Sequence, residues 1–271
     1  MTQPSLKIRA FNTLRSLPGA SFWIFALKEA WAALFGGLML LAIVLTTVFD
    51  LPYLSQYDWL FLAALLIQAG MLVFKLEKPY ELITIILFHL VGLGMELFKT
   101  SGAIGSWSYP GDAVIRLAGV PLFSGFMYAA VGSYMARSWR VFNLTFMHYP
   151  KRWATAILAV AIYINFFTHH FIYDFRLFLF AAVVVLYRKT WVTFTVNQKV
   201  RRMPLLVSFV LIALFIWIAE NIGTFTKVWL YPNQIVEWNL VSFGKLGSWL
   251  LLMVISFIMV DITYYLRSKL K

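Results

Sequence analysis

Apolar residues in this chain come in eight long stretches, at about 29–49, 57–74, 80–98, 116–136, 153–171, 175–190, 204–221 and 245–266. Each is close to the roughly 20 residues a helix needs to cross the hydrocarbon core of a bilayer. The connectors are short and polar, so no soluble catalytic domain fits between the stretches. The sixth is the weakest. Its clean run, Leu177 to Tyr187, predicts a tilted span or one anchored by the snorkelling side chains of Arg188 and Lys189. The pattern predicts an all-α fold, a polytopic transmembrane helix bundle of about eight spans. Upstream, Phe11, Leu14, Phe22, Trp23 and Phe25 fit a short helix in the membrane interface within an N-terminal segment, 1–26. No run in that segment has the form of a secretory signal.

Composition agrees with the pattern. Hydrophobic residues make up 62% of the chain and charged ones 13%, whereas soluble domains carry about 45–50% and about 25%. A soluble protein of this composition would expose large apolar patches. Cysteine is absent, which excludes disulfides, thiolate nucleophiles and cysteine-ligated metal centres.

The net charge of +12 would suggest nucleic acid in a soluble chain, but its placement reads as topology instead. The two ends of the chain and alternate connectors hold most of the 23 Lys and Arg. Eighteen lie in the N-terminal segment through Lys28, in the 2–3, 4–5 and 6–7 connectors and in the tail. Lys99, Arg116, Arg176, Lys227 and Lys245 are the five on the other side. Cytoplasmic loops retain positive charge. Both termini are therefore expected in the cytoplasm, with the bilayer as the partner and no role for nucleic acid.

A tetrapeptide pattern occurs twice. Glu96 near the end of the third stretch is followed by Trp107-Ser108-Tyr109-Pro110, and Glu220 near the end of the seventh by Trp229-Leu230-Tyr231-Pro232. A second echo joins Tyr57-Asp58-Trp59 to Tyr173-Asp174-Phe175. Both recur four spans apart, which predicts two parallel four-helix repeats, 27–138 and 150–268, about an axis along the membrane normal.

The repeat gathers the candidate chemistry at one face, where seven of the eleven acidic residues lie. Ionisable groups within spans tend to mark function, which makes Glu96 and Glu220 candidate acids or bases. A carboxylate at a span end also serves simply to meet water. His89 lies seven residues before Glu96, two turns along nearly the same helix face, and is the third catalytic candidate. Trp107, Tyr109, Trp229 and Tyr231 are candidate substrate contacts, with headgroup-level anchoring as the alternative. Asp58 and Asp174 are further candidates, although both could do no more than cap helix N-termini. His169-His170 resembles a relay or metal cluster, but four histidines without a paired-histidine motif assign no metal. No nucleotide-binding or hydrolase-elbow motif is present, and the cofactor stays unknown. Gly125, Ala129, Gly132 and Ser133 read as a helix-packing face.

The stretch from Glu96 to Arg140, with its G-S-W-S-Y-P and P-L-F-S-G-F-M-Y-A segments, resembles the YoaT-like bacterial membrane proteins, a family of unknown function. The likeness covers most of the chain and implies a bacterial inner-membrane location without lending an activity. The order of Glu96, the loop of Trp107 and Tyr109, and Gly119-Val120-Pro121 more loosely resembles membrane carotenoid hydratases and small lycopene cyclases. That likeness implies a carboxylic acid protonating a polyene. The proline after Tyr109 departs from their pattern.

Three readings follow. One is a membrane enzyme using carboxylate acid/base chemistry on a lipid or isoprenoid. The second is a carrier for a small solute or ion, and the third a scaffold without a site. Few polar residues appear in the cytoplasmic halves of spans 3, 4, 7 and 8, which favours the enzyme over a through-going path.

Overall fold

The computed structural model describes residues 19–269, so most of the expected N-terminal interfacial segment, with Phe11 and Leu14, lies outside the described residues. Nine α-helices account for most of the described chain. They are α1 (Ala20–Ala32), α2 (Leu34–Val48), α3 (Gln56–Val73), α4 (Pro79–Lys99), α5 (Phe123–Val141), α6 (Arg152–Thr168), α7 (Arg176–Tyr187), α8 (Leu205–Phe225) and α9 (Gly244–Lys269).

Each apolar stretch holds helix, but the helices differ in reach. α3, α4, α8 and α9 are long and apolar enough to cross a membrane. α1 and α2 make a fifth candidate if taken together, with a bend of 71° between them. α6 and α7 have 17 and 12 residues, short of the roughly 20 that a straight span needs. The fourth stretch starts later than its hydropathy suggests. Arg116–Leu117 (β1) and Val120–Pro121 (β2) form a tight antiparallel hairpin, turned by Ala118 and Gly119 at positive φ, and helix begins only at Phe123.

α5 explains itself by position. It packs against α1, α2, α3, α4 and α9, so it sits amid protein and can carry Ser133, Arg137 and Arg140 without facing lipid. Its small residues permit the contact with α4. A Cβ on Gly125 would meet the His89 ring at 2.7 Å, one on Gly132 the Phe88 ring at 2.8 Å, and one on Gly92 the Tyr128 ring at 2.4 Å. The packing-face reading of α5 holds.

Local sequence sets the helix starts. Ser55 caps α3, accepting from the Asp58 amide at 3.4 Å, and the Glu81 carboxylate accepts from the Lys78 amide at 2.9 Å at the start of α4. The basic 6–7 connector is an ordered hairpin, with β4 (Trp191–Val196) running into β5 (Lys199–Pro204) through Asn197 and Gln198, both at positive φ. β3 (Thr145–Met147) adds on the other edge of β4 to complete a three-stranded antiparallel sheet. The alternation of Val192, Phe194 and Val196 with Trp191, Thr193 and Thr195 is the strand signal that hydropathy over longer windows conceals.

Below this sheet end lies a buried polar cluster. Arg137, 1% exposed, donates to the carbonyls of Ala32 and Leu76 at 3.2 and 2.8 Å. Arg140 meets Glu81 at 3.2 Å, while Glu77 accepts from Gln68 at 2.6 Å and from Ser133. The expectation of few polar residues in this half of α4 and α5 gives way to a buried cluster in which Glu81, Ser133 and Arg137 take part. Asp261 pairs with Arg152 at 3.1 Å.

Helix neighbours recur along the chain. α2 packs on α3 as α6 does on α7, α2 on α5 as α6 on α9, and α4 on α5 as α8 on α9. At the end of the bundle opposite the sheet, the segments after α4 and α8 meet. Ser108 and Leu230, the middle residues of the two W-x-Y-P segments, exchange backbone hydrogen bonds of 2.9 and 3.0 Å as an isolated antiparallel bridge.

Candidate functional site

In an extended segment, residues two apart point the same way, so W-x-Y presents both aromatic rings on one side while the backbone of x is free to pair. The proline that follows has no N–H to continue a ladder. Both copies use this geometry. Trp107 Nε1 and Tyr109 Oη donate to Glu96 Oε2, each at 2.8 Å, and Tyr128 Oη from α5 donates to Oε1 at 2.9 Å. In the second copy, Trp229 Nε1 and Tyr231 Oη donate to Glu220 Oε1 at 2.9 and 2.7 Å. The glutamates are 5% and 7% exposed. As the antiparallel register requires, the ring of Trp107 meets that of Tyr231 edge-on at 6.3 Å.

Tyr57 ties the two segments together. Its hydroxyl donates to the Val228 carbonyl at 2.7 Å and accepts from the Gly111 amide at 3.0 Å. In the sequence it stands out only as part of the Tyr57-Asp58-Trp59 echo. Only the fold brings the connectors after α4 and α8 to it, and the same holds for Tyr128. Burial and then the Glu96 carboxylate push the Tyr109 hydroxyl well above its ordinary value, and burial and Glu220 do the same to Tyr231. Both phenols therefore stay protonated donors.

Glu96, Glu220 and all four motif aromatics line one cavity of about 1200 Å³. From this end it runs between the helices to Phe142 and to Val192 and Phe194 of the sheet, with walls that are mostly apolar. It extends well beyond the face at which the sequence gathers the candidate residues. Three cations line it beside the glutamates: Lys99, Arg176 and Lys245. Lys99 Nζ is 2.6 Å from His170 Nε2 and 4.2 Å over the Phe166 ring, and Lys245 Nζ is 4.2 Å over the Tyr231 ring. Arg176 Nε lies 2.5 Å from Asp174 Oδ2, and its Nη1 donates to Ser248 at 3.2 Å.

The remaining candidates stand apart. His89 is not among the cavity's lining residues; it packs on Gly125 and on the Phe126 ring at 4.4 Å, with Nδ1 buried and unpartnered. The two residues share a face of α4, and α5 covers both, but Gly125 and Phe126 shut His89 off from the cavity while Tyr128 leaves Glu96 at its wall. Asp58 accepts from the amides of Val114 and Ile115 at 3.0 and 2.9 Å and holds the β1 approach rather than lining the cavity. Asp174, also outside the lining, accepts from Asn165 at 3.2 Å and orients Arg176. Burial raises the Asp174 carboxyl, but hydrogen bonds from Arg176 and Asn165 hold it below its usual range. Among the described residues no three His, Asp or Glu side chains converge as a metal-binding group.

This geometry accompanies a clear relationship. The family model described as "Protein of unknown function (DUF817)" matches residues 21–257. The chain belongs to that family. It is 48% identical over 236 residues to the "Uncharacterized protein YoaT" of Bacillus subtilis (strain 168), covering 87% of this chain and 89% of that one. The resemblance carried by G-S-W-S-Y-P and its neighbours is thereby borne out. No solved structure matches. Since the family's description states no activity, the site has to be read from its chemistry.

Proposed function

We propose that this member of the family is a membrane-embedded enzyme that uses carboxylate acid/base chemistry on a lipid or isoprenoid. One observation carries the reading: the two repeated glutamate–tryptophan–tyrosine units converge on the same end of a single, mostly apolar cavity. A chain-like substrate would lie along the apolar walls with its reacting group at the glutamates. Glu220 is the better acid or base. Both motif donors go to Oε1, and among the described residues Oε2 has no hydrogen-bond partner. Glu96, held at both oxygens, would shape the pocket. Positive charge developing on a substrate would meet aromatic faces, as the Lys245 ammonium over Tyr231 illustrates.

The direct test is lipid mass spectrometry on membranes from cells expressing the protein, the Glu220→Gln variant or neither. A species consumed or formed by the wild type but not by Glu220→Gln supports the reading. Identical lipid profiles from cells with and without the wild-type protein would sink it, and identical profiles from the wild type and the variant would remove Glu220 from the chemistry.

Within the same proposal, the chain spans a bacterial inner membrane as two parallel four-helix units, 27–138 and 150–268, with both termini in the cytoplasm. The doubled motif, its reciprocal bridge and the recurring helix pairs support that arrangement, with α6 and α7 serving as short, tilted spans. The chain has no native cysteine, so single cysteines at Ser106, Asn143 and Asn197 report orientation cleanly. An impermeant thiol reagent should label only Ser106→Cys in intact cells. Labelling at Asn143→Cys or Asn197→Cys instead would reverse the orientation.

A further inference from the structure

Besides its carboxylates the cavity holds a second chemical feature. Lys99, Arg176 and Lys245 all line its glutamate end. They come from the end of α4, the start of α7 and the start of α9, so only the tertiary fold assembles them. Lys99 is 3% exposed, and the polar atom nearest its ammonium is His170 Nε2 at 2.6 Å. An ammonium has no lone pair, so Lys99 donates and the imidazole nitrogen accepts. That satisfies one of three N–H groups and neutralises no charge. Among the described residues, no carboxylate is within ion-pairing distance of Lys99 or Lys245. Only Arg176 has such a partner, Asp174, which itself stays outside the cavity. Glu96 is engaged at both oxygens and Glu220 at Oε1 by tyrosines and tryptophans, and neither glutamate is within ion-pairing distance of the lysines.

A buried cation without a counter-charge is costly, and a ligand that supplies the charge recovers that cost on binding. Below the cations the walls of the cavity, about 1200 Å³ in volume, are mostly apolar; the one further charged side chain lining it among the described residues, Glu29, accepts from Tyr134 at 2.8 Å. That volume exceeds the roughly 300–1,000 Å³ of pockets for drug-sized molecules. A compact polar anion would fill the cationic end and leave the apolar length empty, whereas a neutral lipid would fill the length and leave the cations unpaired.

Building on the enzyme reading above, we propose that the cavity takes a long-chain amphiphile with one anionic headgroup, a phosphate monoester or a carboxylate. Lys99, Lys245 and Arg176 hold the headgroup, and the chain lies toward Phe142 and Phe194. The headgroup then sits beside Glu220, which places the reaction at the head or the first bonds of the chain.

Binding to the purified full-length protein in dodecyl maltoside, followed by calorimetry, tests this with oleyl phosphate, oleate, oleyl alcohol and inorganic phosphate as probes. Oleyl phosphate, oleate or both should bind at least roughly tenfold tighter than oleyl alcohol and than inorganic phosphate. The paired substitutions Lys99→Met and Lys245→Met should weaken the anionic probe by at least roughly tenfold and leave oleyl alcohol unchanged. If that variant melts early, Arg176→Gln, at a more exposed position, should lower affinity in the same selective way. Equal binding of oleyl alcohol would remove the anionic headgroup from the proposal, and equal binding of inorganic phosphate would remove the chain. Unchanged affinity in the lysine variant, or in Arg176→Gln where that stands in, would remove the cations. The two readings fail separately. If anionic selectivity holds while cells with and without the wild-type protein have identical lipid profiles, the enzyme reading falls and the headgroup site stands. If Glu220→Gln abolishes turnover and oleyl alcohol binds as well as the anions, the reverse is true.

Discussion

The two glutamate sites are built from the same four-letter motif yet end in different states. At Glu96 three donors fill both carboxylate oxygens, because Tyr128 of α5 reaches across to Oε1. At Glu220 the two motif donors share Oε1, and no counterpart of Tyr128 appears among the described residues. The supporting glycines differ as well. Gly92 makes room for Tyr128, whereas Gly223 makes room for Trp229 itself, whose ring would stand 2.0 Å from an added Cβ. The motif thus sets a shared scaffold, and its surroundings decide which copy is held at both oxygens and which at one.

Exchanging single groups breaks this comparison in a defined order. The largest effect expected is on turnover. Glu220→Gln should lower it by about 10²–10⁴-fold, the usual contribution of a general acid or base, with the melting temperature nearly unchanged because the amide oxygen can still accept from Trp229 and Tyr231. Lipid turnover and thermal unfolding of the same preparation check both halves. Glu96→Gln should behave in the opposite sense: one buried oxygen becomes an NH₂ facing a donor, which costs about 1–3 kcal/mol of stability. If Glu96→Gln abolishes turnover without loss of stability, the roles of the two sites are reversed.

Next in size are the glycines. Gly223→Ala drives a methyl group into the Trp229 ring and should cost about 1–3 kcal/mol while displacing the donor from Glu220. Gly92→Ala should cost a similar amount by parting α4 from α5 at Tyr128. Tryptophan fluorescence separates the two, since only Gly223→Ala moves a motif tryptophan directly. A Gly223→Ala protein with native melting and native emission would refute the close approach.

Tyr57→Phe tests what joins the copies. Removing the hydroxyl leaves the Val228 carbonyl and the Gly111 amide without their partner, at a cost of about 1–3 kcal/mol. Near-ultraviolet circular dichroism should show both W-x-Y-P segments loosened together, and loosening of one alone would mean that Tyr57 does not couple them.

The smallest effect concerns the second Tyr-Asp pair, Tyr173-Asp174. Asp174 is partly exposed and its carboxyl is held below the usual range, so its pairing stabilises the fold above the ordinary carboxylate pKa. That contribution is lost as pH falls through the depressed value, and partial exposure limits it to less than about 1 kcal/mol. Melting followed from neutral to acidic pH should show a shallow drop that Asp174→Asn removes. The same drop persisting in Asp174→Asn would assign it elsewhere.

Much of the site was legible because the motif is local and repeated. Glu96, Glu220 and the four aromatics could be paired from spacing alone, since W-x-Y in an extended segment aligns its own rings. What spacing could not supply were the donors and cations contributed by other elements: Tyr128, Tyr57, Lys99, Lys245 and Arg176. His89 shows the converse, because a shared helix face two turns apart looked sufficient until α5 packed its glycines against one of the two residues. The 6–7 hairpin carried a period-two signal within a basic connector, and charge drew the reading away from it.

The sequence by itself determined that the chain is helical and suited to a membrane, because burying polar backbone among so many apolar residues leaves helices as the economical solution. It also determined the doubled carboxylate–aromatic unit, because each copy closes on itself over at most 13 positions. Only the tertiary structure decided that the two copies pair backbone to backbone, that Glu96 is filled and Glu220 is not, and that three cations share their cavity. Those outcomes depend on how α4, α5, α7, α8 and α9 meet, and contacts between residues far apart in sequence leave no period or spacing for the eye to find.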